Sequence, residues 1–587
     1  TPDSEKTIYV WAAGNAGGYA DQGVDYSSPE LLPGMAHYIP EIQGHSIAVA
    51  SVDENGQISD FSSRCGVAQD YCISAPGGRI TAAYPTSTSD TGIYIGNTND
   101  DNYNNCITDN SCYAVTSGTS FAAPFVSGGL AVIADHFEGQ LGSQEIVSRL
   151  FATANKNGVY ADKAIYGQGL MDLNAATEPV GQVSAMMSLS LSGPMTPAIF
   201  SNIQLTSPSF GDAISNGIGN HSIIFFDELD APFRRSLGSL TSDYRNQIIN
   251  MDGYESMQTP ISHTVTSGET ELEIGGLKTH TFSQELVTPY HLLNARADKN
   301  EFFSYYNYSN NSFLSHGLNG SWAMGVFQDS ELRSKKSLRS QFSNPWLNFS
   351  ASGTTFGSTF QGFQGFDIAV ALSSGRNKFE ANEIFGERNS STVALLEIQP
   401  KSSMPSFQLG VMKENDASLG LSGSGAFNGS NNQLTSFAGL SNSMNLMGGK
   451  LFGSFYWGKS NGISNELGMI ESLSNLYSSA FGVGFLKSSI FNNIDSFIVT
   501  IDQPIRIESG ALQLNVPTYR TKEKNVLFHS MSLDLDPSGR EVHTKAQYFS
   551  SYKNVGFGLT LGYKSDPYHI KFMDDYFYMS LGFNIGF

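Results

Sequence analysis

The stretch TSGTSFAAPFVSGG at residues 116–129 decides how the N-terminal part of this chain folds. Its Ala-rich, apolar continuation predicts a helix over 119–137, with Ser120 at the helix start, Pro124 in the first turn and small residues around them. The first backbone N–H groups of a helix have no intrahelical acceptor, so the N–H of Ser120 can bind a developing oxyanion. Ser120 is therefore a candidate nucleophile. The alternative is that it serves only as a helix N-cap.

A second motif, AAGNAGG at residues 12–18, ends a predicted buried strand on Gly14 and Asn15. An Asn amide flanked by glycines can point out of the strand end and act as a second oxyanion donor. Taken alone, Asn15 is more typical of a turn, because Asn and Gly dominate turns. The presence of both motifs in one chain favours the catalytic interpretation.

The sequence around these motifs predicts an α/β domain over residues 1–180. IYVWAA at 8–13 and HSIAVASV at 45–52 are almost continuously apolar, as strands buried on both faces of a parallel sheet are. SQEIVSRLFAT at 143–153 predicts an amphipathic helix that begins with a Ser cap.

In order and separation, AAGN followed by GTSFAAP resembles the subtilisin family of serine proteases. APGG at 75–78 and YGQGLMDLNAA at 166–176 extend the resemblance over about residues 1–180. The resemblance implies a serine endopeptidase that hydrolyses polypeptide substrates through an acyl-enzyme and needs no cofactor.

The resemblance also implies a role for individual residues. Ser120 is the expected nucleophile and Asn15 the expected oxyanion-hole partner. Ala12, Ala13 and Gly14 are expected to form one wall of the specificity pocket. The opposite wall is not recognisable, so the sequence predicts no side-chain preference of the substrate.

The sequence departs from the family before Asn15. The family places its catalytic Asp and His upstream of the oxyanion Asn, whereas His37 and His45 follow Asn15 here and are expected to be ordinary loop or strand residues. We therefore expect a fragment whose parent protein supplies the Asp and the His, and expect the 587-residue chain alone to be close to inert. The alternative is a non-catalytic outer-membrane protein with a degenerate, protease-like passenger.

The four cysteines fall into two local pairs, Cys65 with Cys72 and Cys106 with Cys112, which predict two disulfides and an oxidising compartment. Their spacing is unlike that of a zinc site, and no metal is expected. The loop with Asp100 and Asp101 could hold Ca²⁺, but a solvated loop explains it equally well.

From residue 301 to the end, ten-residue segments alternate large apolar with small residues, after a connecting region at 181–300. In the last segment Phe577, Met579, Leu581 and Phe583 share one face, opposite Ser580 and Gly582. A water-soluble sandwich would instead carry Lys, Glu and Thr on its outer face. The pattern therefore predicts an antiparallel transmembrane β-barrel over 301–587, with its large residues towards lipid and its small ones towards a narrow aqueous lumen.

The C-terminal part resembles the β-domain of bacterial autotransporters, including the terminal aromatic Phe587. RCGVAQDYCISAPGG at 64–78 resembles the disulfide-bearing variant of secreted, subtilisin-like autotransporters, and the segments 501–517 and 536–541 give weaker support. The resemblance implies a Gram-negative outer membrane, with the passenger at the cell surface or secreted. Its expected partners are outer-membrane lipid and the barrel-assembly machinery.

Composition limits the remaining possibilities. The 587 residues include 54 acidic and 33 basic ones, a net charge of −21. This length predicts two or three separately cored regions, and the negative charge repels phosphate backbones. Nucleic acid is therefore not an expected partner.

Overall fold

The fold is taken from a computed structural model. It describes residues 7–84, 112–186, 193, 195–205, 207–219, 221–243, 259–267, 270–280, 285–297, 300–307, 324–350, 352–360, 365–376, 390–401, 403–429, 433–465, 468–552 and 555–585.

The N-terminal α/β unit, residues 7–177, is built on a three-stranded parallel sheet in the order β1-β2-β3. The central strand is buried along its whole length, as its apolar sequence predicts. A separate antiparallel hairpin of β4 and β5 leads into the long helix α2, which packs on this sheet. The elements are β1 (Tyr9–Ala12), α1 (Met35–Tyr38), β2 (Ser46–Val52), β3 (Cys72–Pro76), β4 (Ile80–Tyr84), β5 (Cys112–Thr116), α2 (Thr119–His136), α3 (Ser143–Thr153), α4 (Lys163–Tyr166) and α5 (Leu173–Thr177).

Two details of the predicted helices are wrong. Pro124 lies in the second turn of α2, because the helix begins at Thr119. A proline there has no N–H for the carbonyl of Ser120, four residues earlier. Ser143 is the first helical residue of α3 and not its cap; Gly142 caps the helix, and its N–H donates to Glu145 Oε2 at 2.8 Å.

The expected connecting region is folded over much of its described length. β9 and β10 pair with β6 and β7 in one sheet, and β8 pairs with β11 in another. The elements are β6 (Ser184–Met186), β7 (Met195–Pro197), β8 (Asn202–Leu205), α6 (Ala213–Ile218), β9 (Ser222–Phe226), β10 (Pro232–Ser236) and β11 (Thr241–Asp243).

A fifteen-stranded, wholly antiparallel sheet fills the C-terminal part. It begins at Thr259, ahead of the predicted boundary at residue 301. Its strands in order are β12 (Thr259–Ser267), β13 (Thr270–His280), β14 (Glu285–Ala297), β15 (Asn300–Asn307), β16 (Ser352–Phe360), β17 (Phe366–Arg376), β18 (Ser390–Pro400), β19 (Ser406–Glu414), β22 (Gln433–Leu446), β23 (Gly449–Ser460), β26 (Leu476–Ser488), β27 (Ser496–Ser509), β30 (Val542–Tyr552), β31 (Val555–Ser565) and β32 (Tyr576–Ile585).

Short elements lie beside this sheet. They are α7 (Ser330–Ser334), α8 (Arg339–Phe342), β20 (Ala417–Ser418), β21 (Leu421–Ser424), β24 (Ile463–Ser464), β25 (Ile470–Leu473), β28 (Ala511–Arg520) and β29 (Val526–Asp534). Among the described residues, β12 and β32 are the two ends of the ladder and do not pair with each other, so closure into a barrel stays a prediction.

In strands β16 to β32, where side chains are described, many large apolar side chains of the large sheet are exposed. Phe356, Leu372 and Phe583 are 56%, 51% and 63% exposed, whereas Ser373 and Glu397 are completely buried. The predicted facial alternation is therefore present in these strands: the outward face carries large apolar side chains, and the inward face carries small and polar ones together with buried apolar ones such as Phe437.

Residues 324–350 of the same chain cover the inward face along strands that include β17, β18, β22, β23 and β26. Trp346 is buried there and stacks on Phe437 of β22 with ring centroids 4.5 Å apart. A side chain at Gly458 would collide with Trp346, since a Cβ there would lie 2.3 Å from Cζ2. Small residues on this face thus make room for packed protein, where the sequence had predicted an aqueous lumen.

Cys65 and Cys72 form the predicted disulfide, with Cα atoms 5.7 Å apart. Cys112 begins β5, but its predicted pairing with Cys106, the loop with Asp100 and Asp101, and Phe587 lie outside the described residues. Among the described residues, no helix is both long and apolar enough to cross a membrane.

A buried ion pair joins the α/β unit to the segment that follows it. Arg149 of α3 donates to Asp227 Oδ2 at 2.7 Å, and both side chains are at most 1% exposed. The other guanidinium nitrogens donate to the carbonyls of Ala176 and Glu178, both at 2.6 Å. Asp227 also accepts from backbone N–H groups, including that of Val180 at 3.0 Å. Every polar group of the pair therefore has a partner, which is the condition for a tolerable buried charge.

The β28–β29 hairpin makes a second contact with the α/β unit through Arg520, which is fully buried. Its backbone N–H donates to Gln140 Oε1 at 3.0 Å, and its guanidinium pairs with Glu145. Burial alone would raise the pKa of the Glu145 carboxyl, but hydrogen bonds from Arg520 and the N–H of Gly142 outweigh burial and hold that pKa below its ordinary value.

Asp227→Ala should destabilise the junction by about 3–5 kcal/mol, because it leaves the Arg149 guanidinium buried without a counter-charge. Native-state amide hydrogen exchange in α3 and at residues 176–180 measures the loss. Glu138→Ala is the matched control: its pair with Arg234 is 58% and 45% exposed, and its loss should cost less than about 1 kcal/mol. Equal loss of protection in the two variants would contradict the assigned role of the buried pair.

Candidate active site

The helix start that carries Ser120 is held in place by its loop. β5 ends at Thr116, and α2 begins three residues later at Thr119. The N–H of Gly118 donates to the carbonyl of Gly77 at 2.9 Å. Gly118 has φ 156° and ψ 155°, a conformation nearly restricted to glycine. Ser120 follows with an exposed side chain in the first turn of α2.

Asn15 comes from the end of β1 and is locked to the same helix start. Asn15 Oδ1 accepts from the N–H of Thr119 at 3.0 Å and from its hydroxyl at 3.1 Å. The Thr119 hydroxyl in turn accepts from the N–H of Gly14 at 3.2 Å. Because the amide oxygen is fully engaged, the Nδ2 group of Asn15 is the end left to face the site.

The two expected oxyanion donors point to one place. A Cβ built on Gly118 would lie 3.8 Å from Asn15 Nδ2 and 3.8 Å from the N of Ser120. Both nitrogens therefore border the same small space beside Gly118, which has no side chain to fill it. An oxygen bound in that space would receive two hydrogen bonds at a helix N-terminus, where partial positive charge also favours an anion.

The expected substrate wall is continuous with this space. Gly14 is buried with φ 113°, and Ala13 is completely buried. The carbonyl of Ala13 accepts from the N–H of Glu30 at 2.9 Å. Ala12 ends β1, Ala13 holds Glu30 through its backbone carbonyl, and Gly14 is the member of the expected wall next to Asn15.

One residue that the sequence did not single out also lies at this wall. The Glu30 side chain crosses Gly14, so that a Cβ on Gly14 would be 2.4 Å from Glu30 Oε1. Glu30 is 15 positions from Asn15, in a loop with no catalytic motif. Only the folding of that loop over β1 brings the carboxylate here.

A general base for Ser120 is not found among the described residues, since no described histidine forms a hydrogen bond with it. Nε2 of His45 lies 2.8 Å from Gln144 Nε2, in hydrogen-bond contact, and its ring is buried. His37 lies in α1, edge-on to Tyr38. Within the described part of the chain, no group of three metal-ligating side chains comes together either.

The N-terminal part of the chain is similar to known proteins. The subtilase family model matches residues 1–169. The extracellular serine protease of Serratia marcescens is 30% identical over 170 residues, 29% of this chain and 15% of that protein. The serotype-specific antigen 1 of Mannheimia haemolytica is 27% identical over 175 residues, 30% of this chain and 16% of that protein.

The matched region spans 15% and 16% of the length of these two relatives. Among solved structures, the self-cleaved protease domain of PatA is 20% identical, covers 29% of this chain and 49% of that chain, and superposes with a TM-score of 0.21. Residues 1–169 are a domain of the subtilase family.

Proposed function

We propose that this chain carries the nucleophile and the oxyanion hole of a subtilisin-like serine endopeptidase. The observation that carries the proposal is the convergence of Asn15 Nδ2 and the N of Ser120 on one space beside Gly118. Ser120 Oγ attacks the carbonyl carbon of a peptide bond, and the two nitrogens hydrogen-bond to the oxygen as it becomes negative. The amine leaves, and water then hydrolyses the resulting ester of Ser120.

The proton of Ser120 has to pass to a general base and from there to the leaving amine. We place that base, and the carboxylate that orients it, outside the described residues. The exposed Ser120 side chain is open for such a group to approach. The competing function is a binding module in which no base reaches Ser120.

In the full-length parent of this chain, Ser120→Ala should abolish peptide hydrolysis and labelling by a fluorophosphonate, because the attacking oxygen is removed. In-gel fluorescence after labelling measures this directly. Ser127→Ala, on the same helix, is the control and should be labelled like the wild type. A wild-type protein that is folded but never labelled would favour the binding module. Labelling that persists in Ser120→Ala would assign the nucleophile elsewhere.

Asn15→Ala should lower kcat by about 10²–10³ with little change in KM, the size known for loss of one oxyanion donor in subtilisin itself. The donor acts on charge that develops after substrate has bound, so the effect falls on kcat. Steady-state kinetics on one peptide substrate provide the measurement.

Thr119 separates an oxyanion role of Asn15 from a merely structural one. Thr119→Ser keeps the hydroxyl that holds Asn15 Oδ1 and should retain most of kcat, whereas Thr119→Val should lose part of it. Unchanged kcat in both Asn15→Ala and Thr119→Val would remove Asn15 from the mechanism.

We further propose that the C-terminal part anchors the protease in an outer membrane as a β-barrel. The support is the exposed apolar face of the large sheet, since this surface of Phe, Leu and Ile would otherwise face water. A relative named as an extracellular protease and another named as a serotype antigen support an exported location. The proposed partners of this part are membrane lipid and the machinery that assembles barrels.

Phe583→Arg should destabilise the membrane-inserted protein by about 2–4 kcal/mol if the residue lies near the bilayer midplane. Gly582→Ser is the control, because a Cβ there meets only the carbonyl oxygen of Gly558 at 4.0 Å. Urea unfolding in lipid vesicles and mobility on unheated detergent gels measure the difference. A detergent-free monomer in which Phe583→Arg is harmless would overturn the membrane proposal.

A further inference from the structure

The loop that follows Asn15 brings a carboxylate to the substrate side of the site. The N–H of Glu30 donates to the carbonyl of Ala13 at 2.9 Å, and the carbonyl of Glu30 accepts from Gly34 at 2.9 Å. With its backbone tied at both ends, Glu30 lays its side chain across Gly14. A Cβ on Gly14 would be 2.4 Å from Oε1 and 2.5 Å from Cδ.

The Glu30 side chain is exposed, and its carboxylate has no counter-ion among the described residues. Arg64 follows Ser63, whose N–H donates to the carbonyl of Gly14. The NH1 group of Arg64 already donates to the carbonyls of Ser59 and Ser62, at 3.1 and 2.6 Å. Its guanidinium also lies 5.2 Å from the centre of the Tyr26 ring. Arg79, at the other side of the helix start, pairs with Glu54 at 3.2 Å. The described cations around the site therefore already have partners, and Glu30 is left for a ligand.

The position of a bound substrate follows from the space beside Gly118 between Asn15 Nδ2 and the N of Ser120, called the oxyanion space below. When a carbonyl oxygen lies between Asn15 Nδ2 and the N of Ser120, the carbonyl carbon comes within reach of attack by Ser120 Oγ. The side chain of that residue branches one bond from the carbonyl carbon and has to leave past the adjoining wall. That wall is Gly14, and the Glu30 carboxyl group fills the space that a side chain on Gly14 would take, so Glu30 forms the surface that the substrate side chain meets.

We propose that Glu30 makes this protease select lysine or arginine at the residue whose carbonyl is attacked. The long side chain extends along this wall, and its cationic end hydrogen-bonds to the Glu30 carboxylate, a bond that the charges on both partners strengthen. The chain's net charge of −21 adds a general attraction for cationic peptides. This inference rests on the proposed protease function and specifies its substrate.

The test uses the full-length parent protein and four fluorogenic peptides. They differ only at the residue whose carbonyl is attacked, which is Lys, Arg, Met or Glu. Met is an uncharged, unbranched side chain of similar shape. We expect kcat/KM for Lys and Arg to exceed that for Met by about tenfold, as for a hydrogen bond between charged groups, and to fall with added salt. Glu30→Gln should remove the preference, and Glu30→Lys should shift it towards Glu.

Glu41→Gln is the matched control, since Glu41 is an exposed glutamate in the same part of the chain. It should keep the wild-type preference. Fluorophosphonate labelling of every variant reports the state of Ser120 independently of Glu30 and shows that the variant is folded. Normal labelling with no preference for basic residues, or with a preference that survives Glu30→Gln, overturns the role of Glu30 and leaves the protease function standing. A wild-type protein that is not labelled overturns both.

Discussion

The clasp between Thr119 and Asn15 is the constraint on which the site depends. Thr119 is completely buried and uses both its backbone N–H and its hydroxyl on Asn15 Oδ1, while the same hydroxyl receives the N–H of Gly14. These bonds join the end of β1 to the start of α2 across more than 100 positions of sequence. The clasp sets the direction of the Asn15 amide, and so fixes both the oxyanion space and the wall beside it.

The α/β unit is also held to the rest of the chain by two buried arginines. Arg149 joins α3 to the β9–β10 turn through Asp227, and Arg520 brings the β28–β29 hairpin against Gln140 and Glu145. Both guanidinium groups also bond to backbone carbonyls. Such pairs fix geometry more than they add stability, because desolvation offsets much of the attraction. They explain why the helices behind the site form part of one packed structure with the region that follows.

In the large sheet, the alternation of apolar and small residues is compatible with burial of either face. Alternation of apolar and small residues predicts a strand with two unlike faces, but it does not say which face is covered. Here the small face is covered by residues 324–350, through contacts such as Trp346 on Phe437, and the apolar face is left outside. The small, uncharged composition of the second face predicted this direction, and the exposed apolar face on which the membrane proposal rests agrees with it.

The sequence by itself determined the local elements and singled out the candidate reacting groups. Apolar runs gave β1 and β2, the Ala-rich run gave α2, and two short motifs identified Ser120 and Asn15, because each depends on neighbours a few residues away. The boundary of the large sheet at Thr259 and the packed inner face were decided by tertiary structure. So was Glu30, whose position over Gly14 depends on how a loop without any motif folds back on β1. Short motifs of adjacent residues indicate which groups can react. The contacts that orient those groups join residues far apart in the chain and form only when the whole domain is packed.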